Sequence, residues 1–144
     1  MRKAAVSLVA MVLMLATFAL PTNAGPRDFT FAKGVNYEIS IDGLPDNVQA
    51  GSTITAVITI TVYPGAAQSR RVLGSYEAGI VNSDLEVIGF SHRGAAQIPV
   101  GKTKTLRKMF RVPANAPTGV HGVMISTDVL GENLKVGKFI DISK

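Results

Sequence analysis

The residues with the clearest capacity for chemistry form a basic cluster in the second half of the chain. Five positive charges occur within ten residues and no acidic residue lies among them: Lys102, Lys104, Arg107, Lys108 and Arg111. A cluster of this kind predicts binding to an anionic surface, such as a cell-surface polymer or lipid headgroups. Nucleic acid is not expected as a partner, because nucleic-acid sites interleave several aromatic rings with basic residues and Phe110 is the only ring here.

The same five residues also have a purely structural interpretation. Lys and Arg on the edge strand of a β-sheet prevent unwanted pairing with other sheets. The basic positions fall on both parities of a strand, so they do not define one binding face. This distribution favours edge protection over a binding site.

Two histidines and two methionines are the candidate ligands for a soft metal ion. Imidazole and thioether groups suit copper, and the residues available are His92, His121, Met109 and Met124. His121 and Met124 are three apart in a strand pattern, so their side chains are expected on opposite faces. We interpret the histidines as surface or half-buried residues and the methionines as core residues, and predict no bound transition metal. A copper carrier is kept as a less favoured function.

Two predicted loops contain oxygen ligands of the kind that calcium prefers. The first has Asp42, Asp46 and Asn47, and the second has Asp128, Glu132 and Asn133. Neither loop has the alternating acidic spacing of a calcium loop, and Asp and Asn in turns commonly hydrogen bond to their own backbone. We interpret both as turns.

Recognisable catalytic motifs are absent from the sequence. It has no cysteine and two histidines, which leaves few nucleophiles and bases, and it lacks a G-x-S-x-G nucleophile motif. Gly101-Lys102-Thr103 matches the end of a phosphate-binding loop, but position 96 is Ala96 where that motif requires Gly. We predict that the protein is not an enzyme and binds no cofactor.

The elements that position these residues are predicted to be β-strands. Residues Ser52 to Val62 alternate strictly, with Ile54, Ala56, Ile58, Ile60 and Val62 on the parity that we expect to be buried. The other parity carries Thr53, Thr55, Thr59 and Thr61, which form a hydroxyl-rich face that we interpret as solvated.

Further strand patterns follow at intervals typical of an all-β domain. They are Val35–Ile41, Arg71–Val81, Leu85–Phe90, Ala95–Pro99, Thr103–Val112, Gly119–Val129 and Leu134–Ile142. Seven to eight strands predict an immunoglobulin-like two-sheet β-sandwich, with a small barrel as the alternative. Residues 25–34 are expected to form a loose arm or an edge strand.

The amino terminus has the three-part pattern of a secretory signal peptide. Arg2 and Lys3 precede an uncharged apolar run from Ala4 to Leu20, and small residues follow up to Ala24. We predict cleavage after Ala24 rather than a membrane anchor, which leaves one domain, residues 25–144, with no transmembrane segment. Removal of residues 1–24 lowers the net charge from +5 to about +3. The protein is then exported, to the periplasm or outside the cell.

Turn motifs at three places support a resemblance to a known group of modules. Val48–Ser52 leads into the alternating strand, Ile98–Lys102 leads into a later strand, and Pro113–Gly119 precedes the next. Over Val48 to Ile142 this order resembles bacterial and archaeal extracytoplasmic immunoglobulin-like modules of the CARDB and fibronectin type III-like kinds. The resemblance implies the fold and an extracytoplasmic setting, and it brings no catalytic residues.

Together these patterns predict an exported binding or structural and assembly module without enzymatic activity. Its partner would be a protein or an anionic cell-surface polymer, and the oligomeric state is left open. The alternative is a carrier that holds a small apolar ligand or lipid between the two sheets.

Overall fold

The computed structural model describes residues 29–82, 86, 88 and 92–144. Across these residues the chain forms nine strands and no helix. The described residues therefore contain no helix long and apolar enough to cross a membrane. The strands are β1 (Phe31–Lys33), β2 (Tyr37–Asp42), β3 (Asn47–Gln49), β4 (Thr53–Val62), β5 (Arg71–Val81), β6 (His92–Pro99), β7 (Thr103–Arg111), β8 (Gly119–Val129) and β9 (Glu132–Ser143).

The strands form two separate sheets that pack face to face. One sheet has the order β1-β2-β4-β7 and the other has the order β3-β9-β8-β5-β6. The pairing is antiparallel except between β3 and β9, which run parallel. The immunoglobulin-like β-sandwich predicted from the sequence is therefore confirmed, with nine strands rather than seven to eight.

Strand β4 shows how the alternating pattern produces the core. The five residues predicted to point inward are all buried, and Ile58 has no exposed surface. The other parity is half-buried or exposed, because β4 lies between β2 and β7 and only one face meets the opposite sheet. The predicted bounds of β5 and β8 are also confirmed.

The turn between β6 and β7 explains the partial phosphate-loop motif. Gly101 has a φ of 78°, and the Lys102 N–H donates to the Pro99 carbonyl oxygen at 3.2 Å. A positive φ at the third position of a four-residue turn is the requirement of a type II turn, which glycine meets without strain. Gly101-Lys102-Thr103 is thus a turn that enters a strand, as predicted.

Several predicted elements differ from the structure. Val35 was expected in a strand but is 85% exposed in the turn before β2. Strand β3 lies where the sequence predicts a turn. Of the two alternatives expected for residues 25–34, a loose arm or an edge strand, Phe31–Lys33 form the edge strand β1. The predicted strand Leu85–Phe90 lies outside the described residues except Glu86 and Ile88, whose backbones hydrogen bond to Asn82 and Ile80.

The side of the sandwich where β2 meets β8 and β9, here called the β2–β9 side, is joined by buried polar contacts. Tyr37 has no exposed surface, and its hydroxyl lies 2.9 Å from both Thr127 Oγ1 and the Glu132 carbonyl oxygen. The Leu134 N–H donates to the same hydroxyl at 3.1 Å. Burial raises the pKa of Tyr37, so this hydroxyl stays protonated and bridges the two sheets.

Glu132 adds a second connection on the β2–β9 side. Its carboxylate accepts hydrogen bonds from the backbone N–H groups of Val35 at 2.8 Å and Asn36 at 2.9 Å. These two hydrogen bonds lower the pKa of Glu132, because they stabilise the charged form. The turn between β1 and β2 is therefore fixed to the start of β9.

Candidate functional site

The last strands of the two sheets lie on the same side of the sandwich, opposite the β2–β9 side. Strand β6 ends the five-stranded sheet and β7 ends the four-stranded sheet. The Val100–Lys102 turn connects them directly. This β6–β7 side therefore presents two strand edges that are not paired with another described strand.

The structure places the predicted basic cluster on this side. Strand β7 or the turn before it carries all five cations, and β7 is an edge strand as the structural interpretation requires. Lys102, Lys104, Arg107 and Arg111 are exposed, whereas Lys108 is half-buried. No ion pair joins any of the five to an acidic residue in the described part of the chain.

The cations are divided between the two faces of β7. Lys104 and Lys108 lie opposite Ile60 and Ala56 of β4, which are inward positions, and Arg107 lies opposite Val57 on the outer face. The prediction that the basic residues occupy both parities is confirmed. The inward pair is directed toward the gap between the two sheets at its edge.

Lys108 makes the contact that links the two edges. Its Nζ lies 5.1 Å from the centroid of the Tyr76 ring, which is within the range of a cation–π interaction. Tyr76 is a buried residue of β5, and its ring covers Gly94 of β6, where a Cβ atom would overlap the ring. On the β6–β7 side, the Tyr76 ring therefore contacts Gly94 of β6 and the Lys108 ammonium group of β7.

A polar cleft of about 320 Å³ lies on the outer face of the five-stranded sheet beside β6. Arg93 Nε lies 3.2 Å from Glu77 Oε1, so the two charges compensate each other. Asn133 Nδ2 donates to the Thr127 carbonyl oxygen at 2.9 Å. The polar groups of this cleft are mainly bonded to one another, which leaves few of them free to bind a ligand.

Four of the six candidate calcium ligands, Asp42, Asp46, Glu132 and Asn133, are engaged in other contacts. Asp42 Oδ1 accepts the Gly43 N–H at 2.8 Å, and Asp46 Oδ1 lies 2.9 Å from Lys138 Nζ. The Glu132 carboxylate binds the β1–β2 turn and does not join Asp128. The described residues contain no group of three acidic or histidine side chains that could hold a metal ion.

The candidate copper ligands are spread over three strands, with His92 on β6, Met109 on β7, and His121 and Met124 on β8. His121 is only 2% exposed, which corrects the expectation of a surface or half-buried residue. Its Nδ1 lies 2.8 Å from the Gly119 carbonyl oxygen, and its buried Nε2 has no hydrogen-bond partner among the described atoms.

The two methionines lie apart from each other. Met124 is buried, as expected, and contacts the Gly137 position. Met109 was predicted in the core but is 70% exposed on β7. His92 begins β6, and its side chain lies outside the described residues.

The sequence analysis missed the edge of β6. Its middle consists of small uncharged residues, the half-buried Gly94 and Ala96 and the exposed Ala95, followed by the exposed Gln97. This run of small residues was visible in the sequence, but its position at a sheet edge depends on the order of the strands. The position of Tyr76 beneath Lys108 depends on the packing of the two sheets in the same way.

Comparison with known proteins shows the fold and no family. No family model and no curated protein matches the chain. Similar solved structures are the sporulation control protein Spo0M from Bacillus subtilis, at a TM-score of 0.54 and 14% identity, and a family 123 glycoside hydrolase from Clostridium perfringens, at 0.55 and 10%. A third is the alkylpurine DNA glycosylase AlkC from Pseudomonas fluorescens, at 0.52 and 16%.

These similarities cover 76%, 76% and 77% of the chain. The chain spans only 50%, 28% and 31% of the length of those three proteins. At such low identities the similarity shows a common β-sandwich architecture, and a fold of this kind occurs with many unrelated functions.

Proposed function

We propose that the protein is an exported, non-enzymatic binding module that engages an anionic partner through its β6–β7 side. The observation that carries the proposal is the set of five cations on β7 and its preceding turn, none of which has an acidic partner in the described residues. Their mutual repulsion is relieved when a negatively charged partner approaches.

The physical basis of this binding is long-range attraction followed by contact at an exposed edge. Charges on a protein surface act over roughly 8 Å at physiological ionic strength, so the four exposed cations attract an anionic partner once it comes close to β7. Such binding weakens as salt is raised. Export is supported by the signal-peptide pattern of residues 1–24, and the absence of a catalytic motif supports a binding role.

The alternative of a carrier with an apolar ligand between the sheets has less support. The inward-facing side chains of both sheets form one continuous core that occupies this space. The polar cleft of about 320 Å³ lies on an outer face instead.

The test is retention on an immobilised sulfated polymer at low salt. We expect the purified protein to be retained and to elute as salt is raised. The triple variant Lys102→Glu, Lys104→Glu, Arg107→Glu should lose retention while its melting temperature stays nearly unchanged, because exposed single charges contribute little to stability.

The matched control reverses three basic residues elsewhere: Lys33→Glu, Lys135→Glu and Lys144→Glu. It changes the net charge by the same amount and should remain retained. Equal loss in both variants would show that only net charge matters and would contradict the proposal. Unchanged retention of the first variant would favour edge protection, in which case neutral replacements on β7 should increase aggregation.

A further inference from the structure

The four terminal strands of the two sheets are protected to different degrees. β1 and β3 are three residues long, and β7 is nine residues long and cationic. Short length and Lys or Arg side chains are the usual means by which proteins prevent pairing at a sheet edge. β6 has eight residues and a single Arg, so it has less of either form of protection.

The composition of β6 suits the approach of another strand. Arg93 is the only Lys or Arg residue in this strand, and it is bound to Glu77. The following residues are Gly94, Ala95 and Ala96, and the strand has no proline before Pro99. Small side chains leave room for a neighbour, and every second residue of an edge strand directs its N–H and C=O groups to the free side.

The residues around β6 favour one sign of charge in any strand that would pair with its edge. A strand placed next to β6 would lie about 4.8 Å further out in the same sheet and about 10 Å from the opposite sheet. Its inward side chains would face Lys104 and Lys108, which point into the gap from β7. The Tyr76 ring, which covers Gly94, would lie beside them. Acidic side chains at alternate positions fit this environment.

We propose that β6 is an acceptor edge that binds an extended acidic segment of a partner protein by adding it as a further strand to the five-stranded sheet. This inference rests on the proposed function, since it assigns the anionic partner to a peptide. Main-chain hydrogen bonds provide the affinity in this mode of recognition, and alternate side chains provide the specificity. A second copy of this chain is a poor occupant, because it would bring two basic β7 strands together.

The experiment uses a synthetic peptide of ten residues that alternates Glu with Val, titrated into the purified protein by calorimetry. Two control peptides have the same sequence with N-methyl groups on alternate backbone amides. One is methylated at the odd-numbered positions and the other at the even-numbered positions. N-methylation removes N–H donors without changing charge. We expect at least one control to bind about tenfold or more weakly, because several hydrogen bonds are lost. Hydrogen exchange at residues 93–98 should slow when the unmodified peptide binds.

Protein variants test the charge preference independently. Lys104→Gln with Lys108→Gln should weaken binding of the acidic peptide, and a peptide that alternates Lys with Val should not bind. The matched pair Lys33→Gln with Lys144→Gln should leave binding unchanged.

Three results would overturn the inference, and they can be separated from failure of the proposed function. Equal binding of all three acidic peptides would show attraction by charge alone, which keeps the anionic partner but removes strand addition. Retention on the sulfated polymer without peptide binding would also keep the anionic partner and exclude strand addition. Protection of residues 93–98 that increases with protein concentration in the absence of peptide would assign the edge to a second copy.

Discussion

The two sides of the sandwich are joined by different kinds of contact. On the β2–β9 side, the buried hydroxyl of Tyr37 and the carboxylate of Glu132 connect residues that lie 90 and 97 positions apart in the chain. On the β6–β7 side, the half-buried Lys108 lies over the Tyr76 ring. A fold without cysteine can therefore join its two sheets by buried hydrogen bonds on one side and by a cation–π contact on the other.

The largest expected effect concerns β4, whose inward face supports both sides of the sandwich. Ile58→Ala should lower the free energy of unfolding by about 2–5 kcal/mol, because it leaves a cavity in the core. Thr59→Ala, one position further on the half-buried face, should have little effect. Chemical denaturation of the two variants measures the difference, and equal losses would contradict the assigned parity of β4.

The next largest effect is the loss of stability in a variant on the β2–β9 side, which should leave binding on the β6–β7 side unchanged. Tyr37→Phe removes the bridging hydroxyl and leaves the Leu134 N–H without this acceptor, so the free energy of unfolding should fall by about 1–3 kcal/mol. Binding at the β6–β7 side should be unchanged, because Tyr37 lies on the other side. A loss of retention on the sulfated polymer at temperatures where the variant is folded would show that the two sides are coupled.

The smallest effect is a dependence of stability on pH at the β2–β9 side. The folded pKa of Glu132 lies below its ordinary value of 4.5, so ionised Glu132 stabilises the fold at pH values above that ordinary value. This contribution is lost as the pH falls through the lowered folded pKa. The stability difference between the protein and Glu132→Gln should therefore be present at neutral pH and disappear in acid.

Unfolding measured at several pH values tests this expectation. Asp128→Asn is the control, because Asp128 lies at the end of the neighbouring strand β8 and its carboxylate does not bind the β1–β2 turn. A difference between the protein and Glu132→Gln that is independent of pH would contradict the role of the charged carboxylate.

The sequence predicted the elements whose periodicity is local. The alternation in residues 52–62 is sufficient to identify β4 and its buried face, and the bounds of β5 and β8 follow from similar patterns. Strand β3 could not be predicted, because three residues carry too little pattern and its partner Ile142 lies far along the chain. Val35 has a strand-forming side chain, but the hydrogen bond to Glu132 holds it in a turn.

The sequence predicted the positive charge of the candidate site on the β6–β7 side, but it did not predict the geometry of that site. The five cations were evident from composition, and their edge position was one of two interpretations. The free edge of β6 and its proximity to Lys104 and Lys108 depend on which strands end each sheet. Such information arises from the topology of the whole domain.

The parallel pairing of β3 with β9 has a consequence for the order of folding. Asn47–Gln49 pair with Asp141–Ser143, and Phe29 exchanges two backbone hydrogen bonds with Gly137. Contacts between residues so distant in sequence require the closure of long loops, and they make folding slow. Strand β3 and Phe29 therefore lack these partners until the residues of β9 have been synthesised. The β3 edge of the five-stranded sheet can therefore form only after β9 is available.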